Sequence, residues 1–308
     1  MAYSATMQNN LLYSVLLAPR GNVRMANAGM QIAQQYLSPF DRLIGVIGEA
    51  GSGKSMLIKG MFPGLELTND DEGVNVRPLP ILNLDDTGFF SPHTYHLDIR
   101  FESGFTQMHV LATAINDAVN RGKRVIVEHF DLVYPYLGGR NAHLLIGVGA
   151  ELIVTRPSFF GPDPASIADI VNKSILYRRM SHTAEDLCEF VLKEINVNRY
   201  EHSDVRHGFI LSFFEKPDFD IGWLEQKVSD LIDQNLDICY LDDQHIRIGE
   251  YPHLCTGPRN HVKTTGEIVN FKLHHSFLFD SIQSRYYLVG YVGSKTDQQL
   301  VHINSIML

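Results

Sequence analysis

The sequence predicts an α/β domain built on a parallel sheet, followed by an α+β domain, and three observations carry that prediction. A short apolar run, "RLIGVIG" at 42–48, ends in glycine and runs straight into a helical pattern, "SMLIKGMF". The same strand-then-helix alternation continues to residue 156, as expected of strands joined by crossover helices. Beyond residue 164 it gives way to a helix, a strand-like segment, an amphipathic helix and a run of strands, a clustering that belongs to α+β folds.

Taken in order, "MANAGMQIAQQYL" at 25–37 places Met30, Ile32, Ala33 and Leu37 near one helical face, and "SPFD" stops that helix. After the strand at 42–48 and its helix comes a polar excursion, "ELTNDDEGVNVRPL", and then "LPILNLDD" as the second strand. "QMHVLATAINDAVNRG" reads as a helix ending on Gly122, "KRVIVEHF" as a strand, "NAHLLIGVG" as a helix and "ELIVTR" as a strand. Strands alternating with helices imply a parallel sheet with helices on both faces. "SFFGPDP", residues 158–164, reads as a linker, which gives domains at 1–160 and 165–308. The second domain opens with a helix from about Ser181 to Asn196. It continues with the strand-like "GFILSFFEK" and a helix carrying Trp223, Val228, Leu231 and Ile232 on one side. No internal repeat or low-complexity tract is present.

Bulk properties exclude several classes. A chain of 308 residues suits two domains of roughly 100–200 residues each. With 44% hydrophobic and 20% charged residues it has the balance of a globular protein that buries real cores. No apolar run approaches the ~18 residues that span a bilayer. "MAYSATMQNNLLYSVLLAPR" lacks a basic stretch ahead of its apolar residues, so a cytoplasmic protein without membrane or secretory signals is the expectation. Three cysteines exclude a disulfide framework. Cys188, in a helical pattern, and Cys239, in a strand-like one, read as core thiols. The net charge of −9 is concentrated from residue 181 onward, where 11 Lys and Arg face 19 Asp and Glu. A broad phosphate-tracking surface is therefore not expected there.

"GEAGSGKS" sets Gly48, four residues, then Gly53, Lys54 and Ser55 between a strand and a helix, with Gly51 inside the loop. Glycines let backbone N–H groups wrap phosphates, and the helix N-terminus adds its positive end. Lys54 would neutralise β and γ oxygens while Ser55 holds Mg²⁺, so a nucleoside triphosphate, ATP or GTP, is the expected ligand. Phosphoryl transfer also needs an acid at a neighbouring strand end. Asp85 and Asp86 close "LPILNLDD", and Glu128 with Asp131 closes "KRVIVEHFD". Each acid also fits a plain turn residue at a strand end.

Over roughly residues 40–160 this half resembles the P-loop nucleoside and uridine kinase group. The resemblance implies Asp85 or Asp86 as the base-like residue and Glu128 as the acid near the metal-bound water. Arg140 or Arg156 would supply a mobile cation, or lie on the surface. His93 and His96 in "SPHTYHLD" have a spacing able to chelate, but a lone H-x-x-H in a loop is a weak signal and solvated or core histidines are the more frequent case.

A zinc site needs about four N, S or O ligands. "MSHTAEDLCEFVLKEI" offers His182 and Asp186 at i, i+4, beside a buried stripe of Ala184, Leu187, Val191 and Ile195. Cys255 and His261 flank a Gly-Pro turn in "YPHLCTGPRNHVKTTGEIVNFKL", which then reads as a strand through Ile268 and Phe271. Those four make a candidate quartet. Alternatively, Asp186 is a first-turn acid on the helix dipole and His182 a polar surface group.

"RRMSHTAEDL" and "PHLCTGPRNHVKTTGEIVNFKL" resemble the two signatures of the alanyl-tRNA synthetase editing domain, its second additional domain, also found in free-standing trans-editing proteins. The likeness covers about residues 165–292, with "HIRIGEYPHLC" before the turn and "YYLVGY" after it. The family's helix carries H-T-A-x-H, its turn C-G-G-T-H-V, and its following strand a T-G-E-I-x-x-F-K-like run. Here Asp186 stands at the second helix histidine, and five residues separate Cys255 from His261. The resemblance implies Zn²⁺ on His182, Cys255 and His261 with Asp186 as fourth ligand, or His253 as an alternative. It also implies an aminoacyl-type small molecule or a tRNA acceptor end as partner. Three functions follow as expectations: a phosphotransferase or NTPase whose second domain binds an aminoacyl-type ligand, a nucleotide-regulated hydrolase of mischarged tRNA, or a non-catalytic nucleotide-switched binding module.

Overall fold

The computed structural model describes residues 13–67, 80–82, 93–157 and 161–293. They fall into two compact units, one formed from residues up to Ala18 together with Asn22–Lys173, the other from Pro19–Gly21 together with residues from Ser174 onward. No helix among the described residues is long and apolar enough to cross a membrane.

The first unit is built on strands β1 (Ser14–Leu17), β2 (Leu43–Ile47), β3 (Thr94–Asp98), β4 (Arg124–Glu128), β5 (Leu144–Val148) and β6 (Glu151–Thr155). Its longer helices are α1 (Asn22–Tyr36), α2 (Lys54–Met61) and α3 (Met108–Asn120), beside single turns at Ile99–Glu102 and Phe130–Val133. The sheet order is β1-β6-β5-β2-β4-β3. Pairings among β5, β2, β4 and β3 are parallel, whereas β5–β6 and β1–β6 are antiparallel. The sheet is therefore mixed rather than all parallel. The reason lies in "NAHLLIGVG", which is strand β5 and not a helix: a short apolar run buried on both faces has no period to tell strand from helix. A tight turn then leads directly into β6, with Gly149 N–H donating to Glu151 O at 3.0 Å, and such a hairpin can only join antiparallel strands.

Two further expectations change. Pro80–Leu82 of "LPILNLDD" forms a 3₁₀ turn, and Asp85 and Asp86 lie outside the described residues. The strand beside β4 is instead β3, Thr94–Asp98 ("TYHLD"), within the stretch read from sequence as a histidine-bearing loop. Helix α1 buries Met25, Gly29 and Ile32, while Met30 is exposed. Close approach of α1 and α2 depends on two glycines. A Cβ on Gly29 would stand 2.1 Å from Leu57 O, and one on Gly60 1.9 Å from Ala26 O. This contact seats α2, whose first residue is Lys54.

Helix α4 (Pro164–Glu194) begins well ahead of Ser181. Pro164 supplies a preset φ at its first position, and Asp163 Oδ1 accepts from Ala165 N–H at 3.1 Å. The division between the units falls within α4. In the second unit β7 (Tyr200–Val205), β8 (Gly208–Phe213), β12 (Lys272–Leu273), β13 (Leu278–Asp280) and β14 (Arg285–Tyr291) form one antiparallel sheet. Strands β9 (Ile238–Asp242), β10 (His245–Ile248) and β11 (Tyr251–Leu254) form another. Helix α5 (Ile221–Asp233) is capped by Asp220, whose Oδ1 accepts from Trp223 N–H at 2.6 Å.

The stretch "TTGEIVNFKL" is mostly not strand. Thr264 and Glu267 close a capping box around a 3₁₀ turn, and only Lys272–Leu273 pair as β12. The core of this unit gathers Leu187, Cys188, Leu192, Phe209, Leu211, Leu224, Val228 and Leu288. Cys188 is buried as expected; Cys239 is only half-buried, and Ile195 is exposed because it lies past the end of α4.

Candidate functional site

In the first unit the loop after β2 holds Gly48, Gly51 and Gly53 at φ of 154°, 78° and 95°. These are values that L side chains rarely adopt, which is what the glycine pattern serves. Gly48 has a second reason, since a Cβ there would stand 2.5 Å from Val148 O. Lys54 Nζ donates to Glu49 O at 2.9 Å and lies 3.6 Å from Glu128 Oε2. Ser55 Oγ donates to Glu128 Oε1 at 3.1 Å, and His96 Nε2 lies 3.2 Å from the same oxygen.

Glu128 closes β4, level with Val46 of β2 and Asp98 of β3. Burial alone would raise its pKa, but the hydrogen bond and charge of His96, with the charge of Lys54, hold it below the ordinary value. Burial lowers the Lys54 ammonium, partly opposed by Glu128 and Asp98. Burial and the Lys54 charge push His129 down to about 4, while burial raises Asp131. Ligand atoms of Asp98, Glu128 and His129 lie within 4.8 Å of one another, so these three could hold a cation.

Sequence reasoning found Glu128 but missed Asp98, His129 and the role of His96. The available signal was the acid ending "TYHLD", hidden because that segment was not recognised as a strand. His93 and His96 do not chelate together: His93 is exposed, and His96 is buried within β3. Both arginines have partners away from the loop. Arg140 Nη2 donates to Asn120 Oδ1 at 2.8 Å, and Arg156 Nη1 and Nη2 grip the Asp41 carboxylate at 2.7 and 2.8 Å.

In the second unit the structure brings His182, Asp186, Cys255 and His261 together, with one ligand atom of each inside a common 4.8 Å. Asp186 lies in mid-helix, far from the first turn, and α4 is buried on every side from Met180 to Cys188. The reading of Asp186 and His182 as surface polar groups therefore fails. Cys255 Sγ is 3.5 Å from His182 Nε2 and 3.2 Å from His261 Nε2. Asp186 reaches His261 Nε2 at 3.5 Å through Oδ2 and His182 Nε2 at 4.0 Å through Oδ1. Ligand atoms held about 2.0–2.3 Å from one zinc at tetrahedral angles stand roughly 3.3–3.6 Å apart, so the spacing fits a shared ion.

Hydrogen bonding behind the imidazoles decides what they present. His182 Nδ1 faces Asn260 O at 3.3 Å, an acceptor only, so Nδ1 carries the proton and Nε2 is a bare lone pair. The Thr183 hydroxyl gives its one hydrogen to Arg179 O at 2.9 Å and accepts from Val262 N–H at 3.2 Å. Its remaining lone pair can only accept, at 3.2 Å, from His261 Nδ1–H. Both Nε2 lone pairs thus converge on a sulfur and a carboxylate. Gly257 N–H donates to Cys255 Sγ at 3.3 Å, and Asp186 Oδ2 has no hydrogen-bond donor.

Four electron-rich groups facing one another in a buried space are satisfied by a cation. Without one, burial drives every group towards neutrality: His182 well below its usual value, His261 down to about 3, and Asp186 and the Cys255 thiol well up. His253 does not join this quartet; it groups with Asp186 and Glu189. Arg20 pairs with Glu185 at 3.0 Å and with Asp204 beside the site, and Arg178 Nη2 donates to Pro19 O at 2.7 Å. Thr183 and Asn260 were missed from sequence because they stand behind the imidazoles of His261 and His182, a placement that spacing alone does not reveal.

A scan against protein-family models matches none to this chain, and a search of curated proteins finds no match.

Proposed function

We propose that the first unit is a P-loop domain that binds a nucleoside triphosphate with Mg²⁺ at Gly48, Gly51, Gly53, Lys54 and Ser55, and acts as a phosphotransferase or NTPase. The observation that carries this is the meeting of Ser55 Oγ with Glu128 at 3.1 Å, Lys54 Nζ standing 3.6 Å from the same carboxylate. A hydroxyl at the loop's end and an acid at a neighbouring strand end are the two groups that hold and orient hydrated Mg²⁺. Lys54, which rests on the Glu49 carbonyl and beside Glu128, would turn to the phosphate oxygens of a bound nucleotide, and Glu128 would hold a metal-bound water or take a proton. Isothermal titration with ATP and GTP, each with Mg²⁺, tests this. Binding lost in Lys54→Ala is expected, and no binding of either by the wild type would overturn it.

A second reading concerns the other unit and is favoured by the two bare Nε2 lone pairs beside Cys255. We propose that His182, Asp186, Cys255 and His261 hold Zn²⁺ and that this unit, as its resemblance to editing domains implies, binds an aminoacyl-type ligand or the acceptor end of a tRNA. Bound zinc would supply Lewis-acid polarisation of an ester carbonyl or acidify a water. The protein's share is orientation: Thr183 and Asn260 hold the imidazoles, and Gly257 N–H steadies the thiolate. Four protein ligands make a closed site. Asp186, whose carboxylate is 4.0 Å from His182 Nε2, is the ligand best placed to yield. Elemental analysis of wild type and Cys255→Ala, followed by deacylation of mischarged tRNA, separates a metal-bearing hydrolase from a fold that keeps only the binding surface.

A further inference from the structure

We infer that a second divalent cation binds beside the quartet, held by Glu189 and His253 and bridged to the first ion by Asp186. This rests on the metal reading of the quartet, because the two sites share a carboxylate.

One ligand atom each from Asp186, Glu189 and His253 lies within 4.8 Å of the others. Asp186 and Glu189 come from the buried face of α4, and His253 from β11. Two buried atoms here have no hydrogen-bond partner: Asp186 Oδ2, which also stands 3.5 Å from His261 Nε2 of the quartet, and His253 Nε2, on residues only 3% and 2% exposed. Polar atoms so buried are normally satisfied, and a pair of orphans next to a carboxylate cluster marks the place of an absent ligand. The neighbouring charges are otherwise accounted for. Glu185 is paired with Arg20 at 3.0 Å, and His202 Nδ1 lies 3.3 Å from both Glu185 and Glu189. A carboxylate has an oxygen for each of two ions, the arrangement by which paired metals are held about 3.5–4 Å apart in hydrolytic sites.

A cation already approaches this position. Lys193 Nζ lies 3.4 Å from His253 Nδ1. Lys193 is exposed, and its flexible chain can withdraw to solvent when a divalent ion takes the carboxylates. Donating to Nδ1, the ammonium keeps the imidazole proton on Nε2 and adds a like charge, so it opposes an ion on both counts, which gives the inference a variant that should strengthen binding rather than abolish it.

The test is titration of Co²⁺ into the metal-depleted full chain, following heat and visible absorption together. With Glu128→Gln in every protein compared, to disable the Asp98, Glu128 and His129 group, the otherwise wild-type chain is expected to take two equivalents, one of which develops a thiolate-to-cobalt charge-transfer band from Cys255. Glu189→Gln and His253→Asn should each take one equivalent with the band retained, and Cys255→Ser should lose the band. Lys193→Met, at an exposed position that should not disturb folding, should tighten the second equivalent by about tenfold through loss of a like charge. One equivalent with the band in the otherwise wild-type chain would overturn the second site and leave the quartet standing. No uptake at all would overturn both. Two equivalents persisting in Glu189→Gln and His253→Asn, with Lys193→Met unchanged, would overturn the assignment to these residues.

Discussion

Thr183 Oγ1 lies 3.2 Å from His261 Nδ1, and because the hydroxyl's only hydrogen goes to Arg179 O, that contact fixes the imidazole with its Nε2 lone pair towards Cys255. Thr183 sits next to a ligand in sequence and behind a different ligand in space. Thr183→Val removes both the donor and the acceptor while keeping shape. It is expected to lower zinc affinity by about 10- to 100-fold, the usual effect of losing a group that orients a metal-bound histidine. Thr183→Ser should restore most of it. Competition with a chromophoric chelator reads both.

Removing the ligands themselves should be more severe. Cys255→Ala and His182→Ala are each expected to abolish stoichiometric zinc and to lower the thermal midpoint of the second unit, because a structural ion's binding energy is also folding energy. Asp186→Asn keeps the shape and one oxygen donor, so it should bind zinc more weakly without losing it. Elemental analysis and calorimetric melting of the same samples check the order. Equal zinc in wild type and Cys255→Ala would refute the quartet.

On the proposed reading of the first unit, substitutions in the loop and at the strand-end acid should separate binding from turnover. Lys54→Ala is expected to abolish nucleotide binding. Glu128→Gln keeps the hydrogen bond to Ser55 but loses the charge, so it should retain binding and lower turnover by roughly 10²-fold, the scale of one acid–base or positioning group. Zinc content should be unchanged in both. Nucleotide titration beside a phosphate-release assay distinguishes the two effects.

How far the sequence was legible depended on whether the signal was local. The loop at 48–55 carries its chemistry in consecutive residues, so its residues could be named from the string, as could Glu128 at a strand end. The quartet was legible through the i, i+4 spacing of His182 and Asp186 and the paired ligand types around one turn. What failed was non-local. β5 lacks any period because both its faces are buried, so "LLIGV" reads equally as helix. β3 was hidden because Tyr95, His96, Leu97 and Asp98 are all buried and the apolar–polar alternation that marks a half-exposed strand does not apply. Asp98, and the contact of His96 with Glu128, went unassigned for the same reason, since only the sheet brings β3 beside β4. Glu189 and His253 meet only when α4 and β11 are both in place, which no spacing rule anticipates.

The α1–α2 contact gives a stability prediction independent of either site. Gly60→Ala places a methyl 1.9 Å from Ala26 O, and Gly29→Ala one 2.1 Å from Leu57 O. Both obstacles are backbone, so neither can rotate away, and the helices must separate. Each substitution is expected to cost about 1–3 kcal/mol, as overpacking does. Gly64→Ala meets nothing within 4 Å, although its φ of 84° carries its own smaller strain, and serves as the comparison. Denaturant midpoints of the three variants check this, and nucleotide affinity should fall with Gly60→Ala because α2 begins at Lys54.

His129 makes the first unit's stability depend on pH in a defined window. Its pKa is pushed from 6.5 to about 4 in the folded state, by burial first and the Lys54 charge second. A histidine with a depressed folded pKa binds fewer protons than it does unfolded between those two values. Stability therefore rises with pH across that window: the contribution is fully present above pH 6.5 and is lost as pH falls towards 4, reaching about 3 kcal/mol at full extent. Glu128, held below its ordinary value, loses its own contribution only as pH falls further. His129 sits at φ 55°, a left-handed conformation that asparagine tolerates, so His129→Asn removes the titrating group with little backbone cost. Urea midpoints at pH 7.5, 5.5 and 4.5 should fall steeply in wild type and less in His129→Asn. Parallel pH profiles for the two proteins would mean that another group carries the dependence.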